Sequence, residues 1–382
     1  MFDNHHTEAA RRAGAILADL LPGDRIGSVV FAAFEEARTA AFVARELAAA
    51  GLAVRTGIGR TGVVGTLVRG GGPSVGLRAD MDALPVAETT GLPYASRTPG
   101  VMHACGHHGH VAMLLGAPRH LAARGDLRGT VHFIFQPAEA CEGGGRAMVE
   151  DGLFRDFPYA SVWGLHSWPG MPLGAFGTRA GAIMASLDTF EIRVRGAGTQ
   201  AAMPERGIDP FVPASETVLA LQTVVNRRIA AFAPAVVSVT QVHGGDAWNM
   251  IPDDVVIHGT VRCLARGVAS THGAGAEVAV NPGYSATVNE CAAAPVALAA
   301  ARRVEAIRSV DPEVTPSMAS EDFAYMLQAC PGAYAWLGVD GKTPSRPLHN
   351  AGFDFNDDAL PIGAAYRVTL ADEALGAARR AA

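Results

Sequence analysis

Met102-His103-Ala104-Cys105-Gly106-His107-His108-Gly109-His110 is followed at once by the apolar run Val111-Ala112-Met113-Leu114-Leu115. Residues 103–110 hold four His and one Cys, soft and borderline ligands beside a helix start, the kind of set that holds zinc, manganese, nickel or cobalt. Gly106 and Gly109 let the backbone bend tightly enough to aim alternate side chains at one point. The competing reading is a chance cluster of surface His around a buried Cys. Cys and His at this density are uncommon outside metal sites, which favours the metal.

Working outward, Leu77-Arg78-Ala79-Asp80-Met81-Asp82-Ala83-Leu84-Pro85 sets two carboxylates where a strand runs into a loop. Strand C-terminal ends are where α/β folds build sites, and a carboxylate there can orient a metal-bound imidazole through its second nitrogen. A turn or capping Asp is the plainer alternative. Phe133-Ile134-Phe135-Gln136-Pro137-Ala138-Glu139 brings one Glu to the end of another strand, where it can take a proton from water and return it to a leaving amine. Gly164-Leu165-His166 and Pro347-Leu348-His349-Asn350 each end an apolar stretch with a His. Alone, such a His is more often a satisfied core residue than a ligand; only the combination reverses this.

The surrounding texture is α/β. Helical spacing marks 7–21 and 37–50, the second closed by Gly51. Strand-like runs follow at Gly62–Val68, Ser74–Arg78, Thr130–Phe135 and Ala160–Leu165, with a helical stretch at 110–124 among them. A different texture begins near Met184: a strand at Thr189–Val194, an amphipathic helix at Phe211–Arg228, and strands at Ala235–Val242 and Val255–Arg262. That β-α-β-β order suits a small open sheet with helices on one face. After Pro295 the first texture returns and ends in a helix at 360–379. We expect a catalytic domain in two segments, 1–183 and 292–382, interrupted by a smaller domain over 184–291. Gly70-Gly71-Gly72-Pro73 reads as a turn, since no Lys-Ser/Thr pair follows it.

A chain of 382 residues can bury a sizeable interior. Its apolar runs break well before bilayer length, and its first residues lack the basic-then-apolar order of a secretory signal, so a cytoplasmic protein is expected. Five cysteines, an odd number widely spread, argue against a disulfide framework. A net charge of −6 with no basic block argues against nucleic acid as a partner and leaves a small molecule.

The ordered set of motifs resembles the M20 metallopeptidases. It runs through Leu77–Pro85, His103–His110, Gln136–Glu139, Gly164–His166, Gly181–Ala185, Ala201–Pro204, Asn249–Pro252, Gly259–Arg262, Ser320–Phe323 and Leu348–Gly363. The match is closest to the branch of hippurate hydrolases, N-acyl-amino-acid amidohydrolases and auxin-conjugate hydrolases, and it covers nearly the whole chain. The resemblance implies a two-layered α/β catalytic domain of the zinc-exopeptidase type with an inserted α+β, ferredoxin-like lid and dimerisation domain, and a homodimer through that lid. It makes Cys105 a ligand bridging two metals, His107 and His166 the remaining ligands of one, and His349 a ligand of the other. It makes Glu139 the general acid/base and Asp82 an orienting carboxylate, and it sets Asn249 and Arg262 near the substrate.

The chain departs from that family pattern four times. A second Glu expected after Glu139 is Ala140, the Asp of Cys-Gly-His-Asp-Gly-His is His108, and the usual lid His is Gln200. Between Arg262 and the strand expected at Ala276–Val280 only about a dozen residues intervene, too few for a full lid helix. Three ligands with an open position suffice for a hydrolytic metal, so one tightly held divalent ion per chain is expected, with His108 or Glu142 as candidate replacement ligands at the other position. Gln200 can still donate to a developing oxyanion. The function implied is metal-dependent hydrolysis of an N-acyl amino acid or similar small amide. The alternatives are an M20 scaffold turned to deamination or another C–N cleavage, and a catalytically silent binding protein.

Overall fold

A computed structural model describes residues 33–140, 142–230, 232–264 and 277–381. The helix expected at 7–21, Cys141 and most of the shortened lid connection lie outside the described residues. The chain divides into two compact units, one formed by Val288–Thr315, Asp322 onward and the described residues up to Gly181, the other by Ala182–Thr287 and Pro316–Glu321.

In chain order the elements are α1 (Ala37–Ala49), β1 (Ala53–Ile58), β2 (Gly62–Arg69), β3 (Ser74–Asp80), α2 (His107–Ala122), β4 (Gly129–Gln136), α3 (Gly144–Glu150), α4 (Leu153–Asp156), β5 (Ser161–Pro172), β6 (Ala175–Gly177), β7 (Gly181–Met184), β8 (Leu187–Arg195) and β9 (Thr199–Gln200). There follow α5 (Phe211–Arg228), β10 (Ala235–His243), β11 (Met250–Ile251), β12 (Asp254–Cys263), β13 (Glu277–Tyr284), β14 (Thr287–Asn289), α6 (Ala294–Arg302), β15 (Ser309–Asp311), α7 (Phe323–Ala329), β16 (Gly332–Asp340) and α8 (Leu360–Ala381).

The first unit is built on an eight-stranded sheet of order β1-β2-β4-β3-β5-β16-β6-β15. Its centre, β4-β3-β5-β16, is parallel, and β3 is buried almost end to end, as a strand covered on both faces must be. The chain leaves β3 on one side to form β4 and crosses back to form β5 on the other. Beside β3, therefore, the connections diverge and open a crevice at the strands' carboxyl ends. Helix α2 is buried along most of its length and joins the core that contains Val43 and Leu47 of α1 and Tyr366, Leu370 and Ala374 of α8.

Two boundaries and one strand differ most from the periodicity reading. Helix α2 starts at His107, not His110, which brings His107 and His108 onto its first turn with His110. Strand β5 runs on to Pro172. Strand β1 escapes a reading based on apolar alternation because its exposed Ala53, Arg55, Thr56 and Gly57 leave only Ile58 buried.

The second unit carries an antiparallel sheet of order β10-β12-β8-β13. Phe190, Ile192, Val255 and Ile257 form its buried core with Ala214 of α5, and Val218 and Leu221 of that helix pack against them. Such one-sided burial suits an antiparallel sheet. Among the described residues no helix is long and apolar enough to cross a membrane.

Candidate metal centre

The site grows from the end of β3 and the head of α2. Gly106 caps the helix with φ 85°, a left-handed conformation natural to glycine. A Cβ on Gly109 would come 2.4 Å from the Phe355 ring, so the helix can approach that ring only without a side chain there. Together they turn Cys105 and His107 inward, where both are buried.

Asp82 receives His107. The Nδ1–H of His107 donates to the Asp82 carbonyl and to Oδ1, each at 3.0 Å, and Asp82 Oδ2 accepts the Ala140 N–H at 3.0 Å. With Nδ1 committed, His107 Nε2 is buried and has no hydrogen-bond partner; burial disfavours its charge, but Asp80, Cys105 and Asp82 outweigh that and raise it well above the ordinary range, so Nε2 becomes a ligand when an ion displaces its proton. His166 is fixed in the same sense: its Nδ1–H donates to the Ser167 carbonyl at 2.6 Å, and its Nε2 lies 3.5 Å from Cys105 Sγ. Burial alone would raise the Cys105 thiol, but the imidazoles of His107 and His166 outweigh it and hold the thiol well below its ordinary range. Glu139 Oε2 lies 3.9 Å from His107 Nε2.

A third imidazole stands close by. Asp80, His107, His110 and His166 have ligand atoms within 4.8 Å of one another. His110, however, is already engaged at both nitrogens: Nδ1–H donates to Asp80 Oδ1 at 2.5 Å and Nε2 accepts the Ser167 N–H at 2.9 Å. Burial pushes it down to about 3, against the pull of Asp80, so it is a neutral strut. Burial would raise the Asp80 carboxyl, but His107, His110 and Arg78 hold it well below the ordinary range. His110 is thus occupied at both nitrogens and Asp80 is tied to His110 and Arg78, and the imidazoles whose Nε2 remains for an ion are His107 and His166, beside Cys105.

Beneath lies a polar layer that the sequence reading gave no role. Arg78, fully buried, donates to Asp80 Oδ2 at 2.9 Å, Asp322 Oδ1 at 3.2 Å and Gln136 Oε1 at 2.9 Å. Gln136 Nε2 donates in turn to Asp322 Oδ1 at 2.7 Å. From α8, Arg367 donates to the carbonyls of Arg78 at 2.7 Å, Trp163 at 3.4 Å and Leu165 at 3.5 Å. An Arg in an otherwise apolar strand is the one signal that could have found this layer, since a charge there requires buried partners.

None of the remaining candidates is fully buried. His349 is exposed, with φ 66°, and its N–H donates to the Ala104 carbonyl at 2.8 Å. His108 is half-buried with an unpartnered Nδ1; its ring lies 5.1 Å from that of His103, whose Nε2 is also unpartnered. Glu142, a candidate replacement ligand, is exposed. On the second unit Gln200 pairs with Met250 between β9 and β11, and the Ala201 N–H donates to the Asn249 carbonyl at 2.9 Å. Gln200 and Asn249 are exposed, and Arg262 donates to the Met318 carbonyl at 3.1 Å.

A parallel-centred α/β sheet with a thiol and two imidazoles converging at its strand ends belongs to the class of metal-dependent hydrolases. The model of the family described as Peptidase family M20/M25/M40 matches residues 76–373, and the chain belongs to that family. It is 38% identical over 357 residues to a hippurate hydrolase from Campylobacter jejuni, covering 88% of this chain and 91% of that one. It is 37% identical over 349 residues to an N-acetyl-L-cysteine deacetylase from Bacillus subtilis, covering 87% and 82%. Among solved structures it resembles a dinuclear metal-binding peptidase of the M20 family from Bacillus subtilis, with TM-score 0.78 and 32% identity over 97% of this chain and 99% of that one.

Proposed function

We propose that the protein hydrolyses the amide bond of an N-acyl amino acid or similarly small amide, with one divalent transition metal held by Cys105, His107 and His166. The observation that carries this reading is the fixed orientation of two imidazoles: the Nδ1–H groups of His107 and His166 donate to Asp82 and to the Ser167 carbonyl, which leaves both Nε2 atoms for an ion beside one acidified thiol. Three such ligands fit zinc, manganese, nickel or cobalt. When bound, the ion supplies Lewis acidity toward a carbonyl oxygen and toward water.

Glu139 takes the proton of the attacking water and delivers it to the leaving amine. Asp82 keeps His107 in its tautomer. The altered position is Ala140, which offers no carboxylate, and Glu142 and His349 are exposed, which favours a single tightly held ion. Gln200, as oxyanion donor, and Asn249 and Arg262, as substrate contacts, keep the roles that family resemblance suggests. A reduced Cys105 favours a cytoplasmic setting.

We also propose a homodimer through the second unit, taken as 184–291. Edge strand β10 presents unpaired backbone, and Val242, Leu219 of α5 and the fully exposed Trp248 and Phe232 offer apolar area. Sedimentation of the intact protein tests it, and a monomer at micromolar concentration contradicts it.

The functional reading is tested by presenting the metal-loaded protein with a panel of N-acyl amino acids. Release of the free amino acid is expected, with a loss of about a hundred-fold or more in Glu139→Gln and no loss of metal. Release of ammonia instead, or tight binding with no product, would replace this reading with the deaminating or the silent one.

A further inference from the structure

Glu36 immediately precedes α1 and is fully buried. Its carboxylate gathers three donors from three parts of the chain. Oε1 accepts the N–H of Phe34 at 2.9 Å and of Ala138 at 3.1 Å, and Oε2 accepts the Thr61 hydroxyl at 2.6 Å. The second of these is the amide of the residue before Glu139.

Ala138 adopts φ 50°, the left-handed region that disfavours a residue with a Cβ. Its carbonyl accepts the Gly144 N–H at 3.0 Å. Both of its backbone polar groups are therefore tied. On the other side of Glu139, the Ala140 N–H is tied to Asp82. Glu139 thus stands between two amides, each held by a buried carboxylate. A disfavoured backbone conformation persists only where its surroundings over-determine it, and Glu36, outside the candidate ligand set, grips this turn through the Ala138 N–H. Release of the Ala138 N–H would let φ return to negative values and swing the next side chain away from His107.

We propose that Glu36 is a positioning residue for Glu139: it holds Ala138 left-handed and so sets the direction from which the carboxylate meets water. This rests on the reading of Glu139 as the proton carrier. Glu36 touches neither substrate nor ion, so its loss acts on kcat while KM and metal content stay in place.

The test compares Glu36→Asp and Glu36→Gln in the full metal-loaded chain, on an N-acyl amino acid that the unaltered protein hydrolyses, beside Glu139→Gln. Asp is one methylene too short to reach Ala138, and kcat should fall about ten-fold or more with KM changed less than about two-fold, as expected for a misplaced reacting group. Hydrogen exchange at the Ala138 amide should accelerate in Glu36→Asp. Glu36→Gln keeps an acceptor oxygen and should restore kcat to within about three-fold of the unaltered protein. Unchanged kcat in Glu36→Asp while Glu139→Gln is inactive overturns the positioning role alone, as does a kcat loss that tracks loss of metal. An active Glu139→Gln removes the proton-carrier reading and this proposal with it. If Glu36→Asp does not fold, Thr61→Val removes only the hydroxyl bracing Oε2 and takes its place; kcat should fall with KM unmoved, and an unchanged kcat counts against the proposal.

Discussion

The Nε2 of His166 lies 3.5 Å from the Sγ of Cys105 across 61 residues of chain. The thiol, acidified by the imidazoles of His107 and His166 in spite of its burial, is a nucleophile when free and occupied when metal is bound. Iodoacetamide should therefore label Cys105 slowly in the loaded protein and quickly after chelation. Cys291, an exposed free thiol, should label at one rate in both states and serves as the internal reference. Equal labelling of Cys105 with and without chelator would exclude it as a ligand.

Elemental analysis after gentle dialysis should find one transition metal per chain. On the reading proposed above, Ala140 leaves the second position without an anionic oxygen and with fewer than three protein ligands, one fewer than a catalytic metal site usually provides. Ala140→Glu combined with His108→Asp should raise the stoichiometry towards two. Two tightly bound ions in the unaltered protein would refute the one-metal reading, and none would favour the silent one.

Arg78 is the counter-charge for two buried carboxylates, Asp80 and Asp322, at 2.9 and 3.2 Å. Arg78→Met keeps much of the volume and strands both acids. Removing one partner of a buried ion pair costs about 3–5 kcal/mol, so the urea midpoint of the first unit should fall sharply. A midpoint within error of the unaltered protein would show that the network is not held by this charge.

The pH dependence of stability offers a separate test of Glu36. Burial raises its carboxyl above the ordinary 4.5, with the hydrogen bond from Thr61 pulling the other way. A carboxyl raised on folding favours the folded state most when protonated, and that contribution is lost as pH rises through the folded value. Glu36→Gln, neutral throughout, should match the unaltered protein below pH 4.5 and become the more stable of the two as pH rises above it. Chemical unfolding at a series of pH values checks this; a variant less stable at neutral than at acid pH, relative to the unaltered chain, contradicts it.

The positions of Cys105, His107 and His166 were legible, at a glycine-flanked helix start and at the end of an apolar strand, but their convergence followed only from the resemblance to the ordered M20 motifs. Asp82 was legible for the same reason. Glu36 was not, because Phe34-Glu35-Glu36 at a helix head reads as solvent-facing, and only packing that joins it to Ala138 across 102 residues buries it. Asp322 stood in the Ser320–Phe323 motif, but its pairing with Arg78, 244 residues away, was hidden, since no local period carries a contact of that span. His108 stood out as a departure, but that it and His103 would each keep a buried nitrogen unpartnered depends on ring orientation, which spacing does not encode.

Arg367 has a consequence for how the protein is made. Its guanidinium on α8 braces the carbonyls of Arg78, Trp163 and Leu165, so strands synthesised early are locked by a helix synthesised late. On the ribosome the cysteine and both histidines emerge long before that brace, and a nascent chain short of residue 367 has the ligands without the floor beneath them. A truncation that removes α8 should therefore loosen β3 and β5 together with the candidate ligands at their ends, a change that hydrogen exchange in those strands would read.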